Sequence, residues 1–252
     1  MILPTPWNLN PAKPPADLEF VSLRPPPVLS DYELQRAMGL AGKRPLRPAV
    51  QKQVDRMVAA RLASAKPRLV LGIGRSQAVG ALLPGFTTIH RYLEFAEHAA
   101  LMAGTAGMTE STLDEACDPL FVFVDNAVSV ALVRKLFRWA RAYLKDRWNH
   151  CETGEPLTPG NCGVPLLLQR SLLSRLPLAD VGIRYDEGQD LLWPLASVSG
   201  VIGVGAYEQV EGSACMRCPS QNCPLRETDF DPKKFQDLSW YCSKPKEQRL
   251  EA

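Results

Sequence analysis

The chain has 252 residues, of which 46% are apolar, and its 29 basic side chains nearly balance 27 acidic ones. This length can bury a proper core in one large or two small domains, and the evenly mixed charges argue against nucleic acid as a partner. The apolar stretches are much shorter than the roughly 20 residues of a spanning helix, and the N-terminus does not look like a secretory signal. These two features predict a cytoplasmic protein that does not enter the membrane.

The first 27 residues are rich in proline, which fixes φ and removes backbone donors, so this segment is predicted to be an extended arm. Within it, Leu18 to Arg24 alternates well enough to predict one short strand. Ser30 with Glu33 three residues later is typical of a capping box, which predicts a short helix that ends before Gly39.

The next elements are a helix and two strands. Apolar residues at three- and four-residue spacing predict a helix that begins at Pro48 and ends before Pro67. The short apolar runs Arg68 to Gly72 and Ala99 to Gly104 then predict two buried strands.

Two local motifs have structural explanations. The glycine-rich Leu71 to Arg75 follows a strand, but the next glycine, Gly80, comes too late for a dinucleotide-binding pattern, so we interpret the motif as a plain turn. Asp125 stands ahead of a long helical pattern, and helix capping is its first explanation.

The second half of the chain begins with the clearest helix. One apolar face at helical spacing predicts a helix over Ala127 to Asp146, while Pro119 to Val124 fits either a strand or the first turn of a buried helix. A helix is then predicted over Val164 to Leu176 and a strand over Val198 to Val204.

Several segments, in consistent order over roughly residues 28 to 226, resemble the reactivation domain of cobalamin-dependent methionine synthase. The motifs that carry the resemblance are the Pro159-Gly160 turn, a helix centred on Gln169, and the segment LWPLASVSG from Leu192 to Gly200. Upstream, Ala103 to Gly107 is similar to the family's T-x-G turn after a buried strand. Pro119 to Leu132 is similar to the family's next strand and the start of the helix that follows it.

The resemblance implies an α+β fold with a curved, mostly antiparallel sheet flanked by helices, formed by residues 28–210. It also implies a groove for S-adenosylmethionine and a corrinoid-binding or cobalamin-binding partner whose oxidised cobalt, once reduced, is remethylated. The residues that match the family's groove are Pro159, Gly160, Ser197, Ser199 and Gly200. Glycines let the backbone approach a ligand, and serines at alternate strand positions offer hydroxyls from one face.

The motif around the turn departs from the family at two positions. Pro156 and Asn161 stand where the family has arginine and tyrosine, and an arginine would have supplied a fork of donors for the ligand's carboxylate. The alternative is therefore a corrinoid-docking or electron-transfer module that does not bind S-adenosylmethionine.

Residues 211–252 are predicted to form a cysteine-rich extension, because four of the seven cysteines lie in the last forty residues. Cys215, Cys218 and Cys223, each of the last two followed by proline, can converge on one centre, with Cys242 as a fourth ligand. This pattern favours an iron–sulfur cluster of the four-iron type over zinc, whose sites more often use two C-x-x-C pairs. Zinc in an interaction module and reduced thiols without metal remain alternatives. Similar tails are characteristic of free-standing members of the family that the chain resembles.

Overall fold

The computed structural model describes residues 17–108, 115, 117–149, 151–161, 164–205 and 229–231. The helices within these ranges are α1 (Asp31–Ala37), α2 (Pro48–Ser64), α3 (Ser76–Ala81), α4 (Thr87–Leu93), α5 (Pro119–Arg147) and α6 (Leu168–Leu173), with a 3-10 helix at Leu178–Val181. The strands are β1 (Glu19–Leu23), β2 (Arg68–Arg75), β3 (His98–Thr105), β4 (Glu152–Thr153), β5 (Arg184–Asp186), β6 (Leu191–Trp193) and β7 (Ser197–Gly205).

The main sheet has the strand order β1-β2-β3-β7-β4, and every pair in it is antiparallel. Strands β5 and β6 form a separate hairpin. Because β2, β3 and β7 are buried on both faces, they are almost continuously apolar rather than alternating. The predicted α+β fold with an antiparallel sheet and flanking helices is confirmed.

Successive side chains of a strand point to opposite faces, so the sheet supports two cores. On one face, Leu71, Met102 and Ile202 pack with residues of α5 such as Leu136 and Leu144. On the other face, Val70, Leu101 and Val201 pack with side chains from α3, α4 and α6. Side chains of β7 therefore pack into both cores, which fixes this strand between the helices on the two faces.

The predicted strand near the N-terminus and the predicted capping box are both confirmed. The Ser30 amide donates to Glu33 Oε2 at 2.7 Å, and the Glu33 amide donates to Ser30 Oγ at 3.3 Å. Glu33 also accepts from Lys135 and Arg138 of α5, at 3.1 and 2.7 Å, which fixes α1 on α5. Burial raises the pKa of Glu33, but the hydrogen bonds from Ser30 and Lys135 outweigh it and hold this pKa below its usual value.

The predicted turn at Leu71 to Arg75 is wrong, because these residues continue β2. The strand pairs with β1 on one side and with β3 on the other, which satisfies its amides and carbonyls without a turn. A Cβ at Gly74 would lie 2.8 Å from Leu18 Cδ2, so glycine here serves close packing between neighbouring strands.

The long helix begins earlier than predicted. Asp118 caps it by accepting from the Leu120 amide at 2.9 Å, and Pro119 to Val124 forms its first turns. Capping by Asp125 is therefore wrong, since Asp125 lies inside α5. Helix α6 is shorter than the predicted span from Val164 to Leu176. In the part of the chain that the structure describes, no helix is both long and apolar enough to cross a membrane.

Candidate functional site

The fold brings the two predicted ligand segments together at one edge of β7. Leu157 forms an antiparallel bridge with Val201, in which each amide donates to the other carbonyl at 2.9 Å. The chain then turns away at Pro159 and Gly160, whose φ of 79° is one that glycine adopts without strain. The Gly160 amide donates to the Val164 carbonyl at 3.0 Å, which closes the loop beside the strand.

Gly200 provides the space for this approach. A Cβ there would lie 2.9 Å from the Leu157 carbonyl oxygen and 3.2 Å from a ring carbon of Phe137 on α5. Any side chain would push the turn segment or the helix away from β7. The glycine of the S-V-S-G segment thus serves close packing between the strand, the turn segment and α5.

The two serines of the segment lie on one face of β7, as their alternate positions require. The Ser197 hydroxyl donates to the Pro194 carbonyl. Ser199 is only 2% exposed, and its Oγ has no hydrogen-bond partner among the described residues. Because strand residues alternate, Ser199 and Gly200 face opposite sides of the sheet.

A groove of about 620 Å³ opens at the start of β7, between α5 and the β5–β6 hairpin. Ser197 lines this groove, whereas Pro159, Gly160, Ser199 and Gly200 do not. Its volume is within the range of small-molecule sites. The predicted residues therefore lie around the bridge between Leu157 and Val201. Of these residues, only Ser197 lines the described cavity.

One wall of the groove is a stripe of α5. Residues spaced by three or four positions share a helix face, and the stripe shows this spacing: Asn126, Ser129, Val130, Val133 and Arg134. Its amide, hydroxyl and guanidinium groups alternate with aliphatic side chains. Phe137, three residues after Arg134, contacts the Gly200 position, so the groove ends about one helical turn from the bridge.

The opposite wall is the β5–β6 hairpin. Arg184 and Trp193 are directly paired across it and both line the groove, while Tyr185 and Leu192 are buried on its other face. The indole of Trp193 is partly exposed, at 37% for the residue. An aromatic surface and a guanidinium thus stand side by side on one small sheet.

The hairpin is held in place by its own polar contacts. The Tyr185 hydroxyl donates to the Asp190 carboxylate, and burial together with that hydrogen bond raises the pKa of Tyr185. The side-chain amide of Gln169, on α6, donates to the Asp190 carbonyl at 2.7 Å. Asp186 accepts from the Gly188 amide at 2.8 Å and so shapes the turn. These bonds keep the groove wall preorganised.

A charged pair lies at the α2 side of the groove. Arg61 Nε donates to Asp125 Oδ1 at 2.6 Å, and the two side chains are 7% and 27% exposed. The guanidinium also lies over the Phe121 ring, 5.5 Å from its centroid. Burial of Arg61 demands a partner for its charge, which explains why an acidic residue stands inside α5.

The end of β3 supports the base of the groove. The Ala196 carbonyl accepts from the Thr105 hydroxyl at 3.2 Å and from the Ala106 amide at 2.8 Å. The predicted turn after this strand contains Gly107, with φ of 60°. A Cβ at Gly107 would lie 2.0 Å from the Lys66 carbonyl oxygen, so no side chain fits there.

The predicted metal ligands Cys215, Cys218, Cys223 and Cys242 lie outside the described residues, and their role stays a prediction. Within the described ranges no group of three or more histidine, cysteine or acidic side chains could hold a metal ion. Of the cysteines described there, Cys151 is buried, and burial raises the pKa of its thiol.

Sequence reasoning missed the groove residues outside the S-V-S-G segment. The spacing of Asn126, Ser129 and Arg134 on α5 was a usable signal, since it sets polar groups on one helical stripe. Trp193 lies inside the motif that carries the resemblance, but short-range patterning does not indicate that it faces a cavity. No local pattern connects Arg61 with Asp125, because 64 residues separate them.

No protein-family model matches the sequence, and no curated protein matches it significantly. Among solved structures, the crystal structure of the MetH reactivation domain bound to AdoHcy is similar to this chain with a TM-score of 0.46 and 14% identity. The match covers 79% of this chain and 83% of that one.

Proposed function

We propose that this protein binds S-adenosylmethionine and presents it to a corrinoid held by a partner protein. The observation that carries the proposal is the bridge between Leu157 and Val201. It brings the Pro159-Gly160 turn against the S-V-S-G segment, although some forty residues separate the two in sequence. These are the segments that resemble the ligand-binding parts of the methionine synthase reactivation domain, and their contact is what a shared binding role requires.

The surroundings of the bridge support a ligand-presenting role. The groove next to β7 has both apolar and charged walls, as an adenosyl amino acid would need. Leu195 lines the groove and is 65% exposed, and together with the partly exposed Trp193 it gives this side of the groove an apolar surface of the kind on which a second protein docks. The corrinoid and its reducing agent supply the methyl-transfer chemistry, while this chain supplies binding and orientation.

The test is titration calorimetry of the full chain with S-adenosylmethionine, together with a thermal melt in its presence. We expect saturable heat and a raised melting temperature. Because Pro156 replaces the family's arginine, one charge-assisted contact worth about 1.5 to 3 kcal/mol is missing from the turn, so the titration must extend to millimolar ligand. The absence of both heat and stabilisation at that concentration would favour the module that docks on a corrinoid protein without binding the ligand.

We further propose that Cys215, Cys218, Cys223 and Cys242 hold an iron–sulfur cluster that passes an electron towards the partner's cobalt. Their spacing supports thiolate ligation of one centre, as does the concentration of thiols in one extension. Iron, sulfide and zinc per chain after anaerobic purification provide the test, with each cysteine replaced by serine in turn. We expect iron and sulfide in the native chain and their loss in the variants. A colourless protein that contains zinc would support a zinc-stabilised interaction module instead.

A further inference from the structure

We infer that a partner protein docks an acidic amphipathic helix on the apolar rim of the groove between α5 and the β5–β6 hairpin. The apolar rim consists of Trp193 and Leu195 on the hairpin side and of Val122 and Phe123 on α5. Arg184 is paired with Trp193 across the hairpin. Such docking goes beyond the proposed function, because it requires no bound S-adenosylmethionine.

The first reason is the composition of β6. A strand with one face in water usually alternates apolar and polar residues, whereas Leu191, Leu192 and Trp193 are apolar without interruption. Leu192 packs into the core, so Leu191 and Trp193 point to the other face, where each is 37% exposed. Leu195 lines the same groove as Trp193 and is 65% exposed. The hairpin strand thus has the composition of one covered on both faces, yet in the described structure its second face borders an open groove.

The second reason is the facing wall. Val122 and Phe123, in the first turns of α5, are 44% and 45% exposed. They precede the groove residue Asn126 by one helical turn, so they continue the stripe of α5 that lines the groove. Exposed apolar side chains gathered around one groove mark a place where another protein binds. Because α5 forms one wall and a two-stranded sheet the other, the space between them suits a further helix.

The third reason is charge, which decides the chemistry of the partner. Among the described residues that line the groove are three arginines and one acid. The acid, Asp125, is paired with Arg61 at 2.6 Å, so the other two lining charges are both positive. These are Arg134 on α5 and Arg184 on the hairpin, one on each wall. A helix whose apolar stripe is bordered on both sides by acidic residues complements this arrangement, whereas a basic helix would meet like charges.

The experiment measures the binding of three synthetic peptides to the full chain by fluorescence anisotropy, without S-adenosylmethionine. The first peptide, of about 15 residues, has leucines at helical spacing on one face and glutamates on the others. The second peptide has lysine in place of every glutamate. The third has the composition of the first, with its leucines distributed around the helix, and therefore tests whether one apolar face is required.

We expect the native chain to bind the first peptide on the order of tenfold more tightly than the other two. Leu195→Ser should weaken this binding by a similar factor, because it removes the most exposed apolar residue of the rim. Arg184→Glu should weaken the first peptide and strengthen the second, since it reverses the charge on one wall. A change in folding alone would not exchange the preference between the two peptides.

Matched controls make the same changes at exposed positions that do not line the groove. Leu167→Ser replaces a leucine that is 71% exposed just before α6, and Arg44→Glu reverses the charge of an exposed arginine in the loop after α1. Both should bind the three peptides like the native chain. Melting temperatures will show that every variant folds.

Three results would overturn the assignment of this surface. The first is a native chain that does not bind the acidic amphipathic peptide at millimolar concentration, or binds it no better than the third peptide. The second is unchanged affinity in both Leu195→Ser and Arg184→Glu, which would place the peptide elsewhere. The third is a native dimer, seen by sedimentation, that Leu195→Ser separates, because a second copy of the chain would then cover the rim. The calorimetric titration with S-adenosylmethionine is a separate measurement, so failure of the proposed function is distinguishable from each of these results.

Discussion

The two halves of β7 use small residues for different purposes. From Gly200 to Gly205 the strand is completely buried, and it is bordered by β3 on one edge and by Leu157 and β4 on the other. At Ser197 and Val198 it still pairs with β3, but both residues are only partly buried and Ser197 lines the groove. In the closed half a small residue allows backbones to approach, whereas in the open half it leaves space beside a cavity. A single motif, S-V-S-G, spans the boundary.

The largest effect should come from Gly107→Ala, which removes the support below the open half. Its Cβ would lie 2.0 Å from the Lys66 carbonyl oxygen at a φ of 60°, so both the backbone conformation and the packing oppose it. We expect a loss of about 3 to 5 kcal/mol in the free energy of unfolding, measured by urea denaturation.

Gly42→Ala is the matched control, because φ there is 71° and a Cβ would meet nothing within 4 Å. It should cost only the strain of a left-handed backbone, about 1 to 2 kcal/mol. Equal losses in the two variants would mean that Lys66 moves aside and that the turn after β3 does not anchor Ala196 as described.

Gly200→Val should have the next largest effect and should act on the closed half. The added side chain would meet the Leu157 carbonyl at 2.9 Å and Phe137 at 3.2 Å, which forces the turn segment or α5 to shift. Overpacking of this kind typically costs about 1 to 3 kcal/mol. Urea denaturation measures the loss, and Gly200→Ala should lose less. A valine variant as stable as the native chain would show that the closed half tolerates expansion.

Sequence reasoning predicted the helices and strands better than it predicted the residues of the site. Periodicity located α2, most of α5, β1, β3 and β7, because long amphipathic or apolar patterns have few alternative structures. It failed at Leu71 to Arg75, where pairing on both edges of β2 overrides the preference of glycine for turns. It also failed at Asp125, since the cap was assigned from the neighbouring sequence alone, while the true partner, Arg61, lies on another helix.

The same contrast between local patterns and distant contacts holds for the site. The resemblance predicted ligand-binding residues in the turn segment and in the S-V-S-G strand. The two segments meet through Leu157 and Val201, and their ligand-binding role stays a prediction. The groove could not be predicted in this way because its walls come from α2, α5 and the hairpin, which only the fold brings together. Trp193 and Arg184 become neighbours through the register of β5 and β6, and register is set by the complete hairpin rather than by either strand.

The smallest effect on stability should come from Ser199→Ala, at the boundary between the two halves. Ser199 is 2% exposed and its hydroxyl has no partner within the described structure, so the native chain already bears the cost of burying it. Removing the hydroxyl should leave the free energy of unfolding unchanged or raise it by up to about 1 kcal/mol. Thr105→Val is the control, because Thr105 is equally buried and its hydroxyl donates to the Ala196 carbonyl and accepts from the Gly107 amide. That variant should lose about 1 to 3 kcal/mol.

The same titration with S-adenosylmethionine then sharpens the comparison: if Ser199 belongs to the closed half, its alanine variant binds the ligand like the native chain. Weaker binding with unchanged stability would mean that the hydroxyl is kept for the ligand and that the pocket extends past Ser197 into the strand.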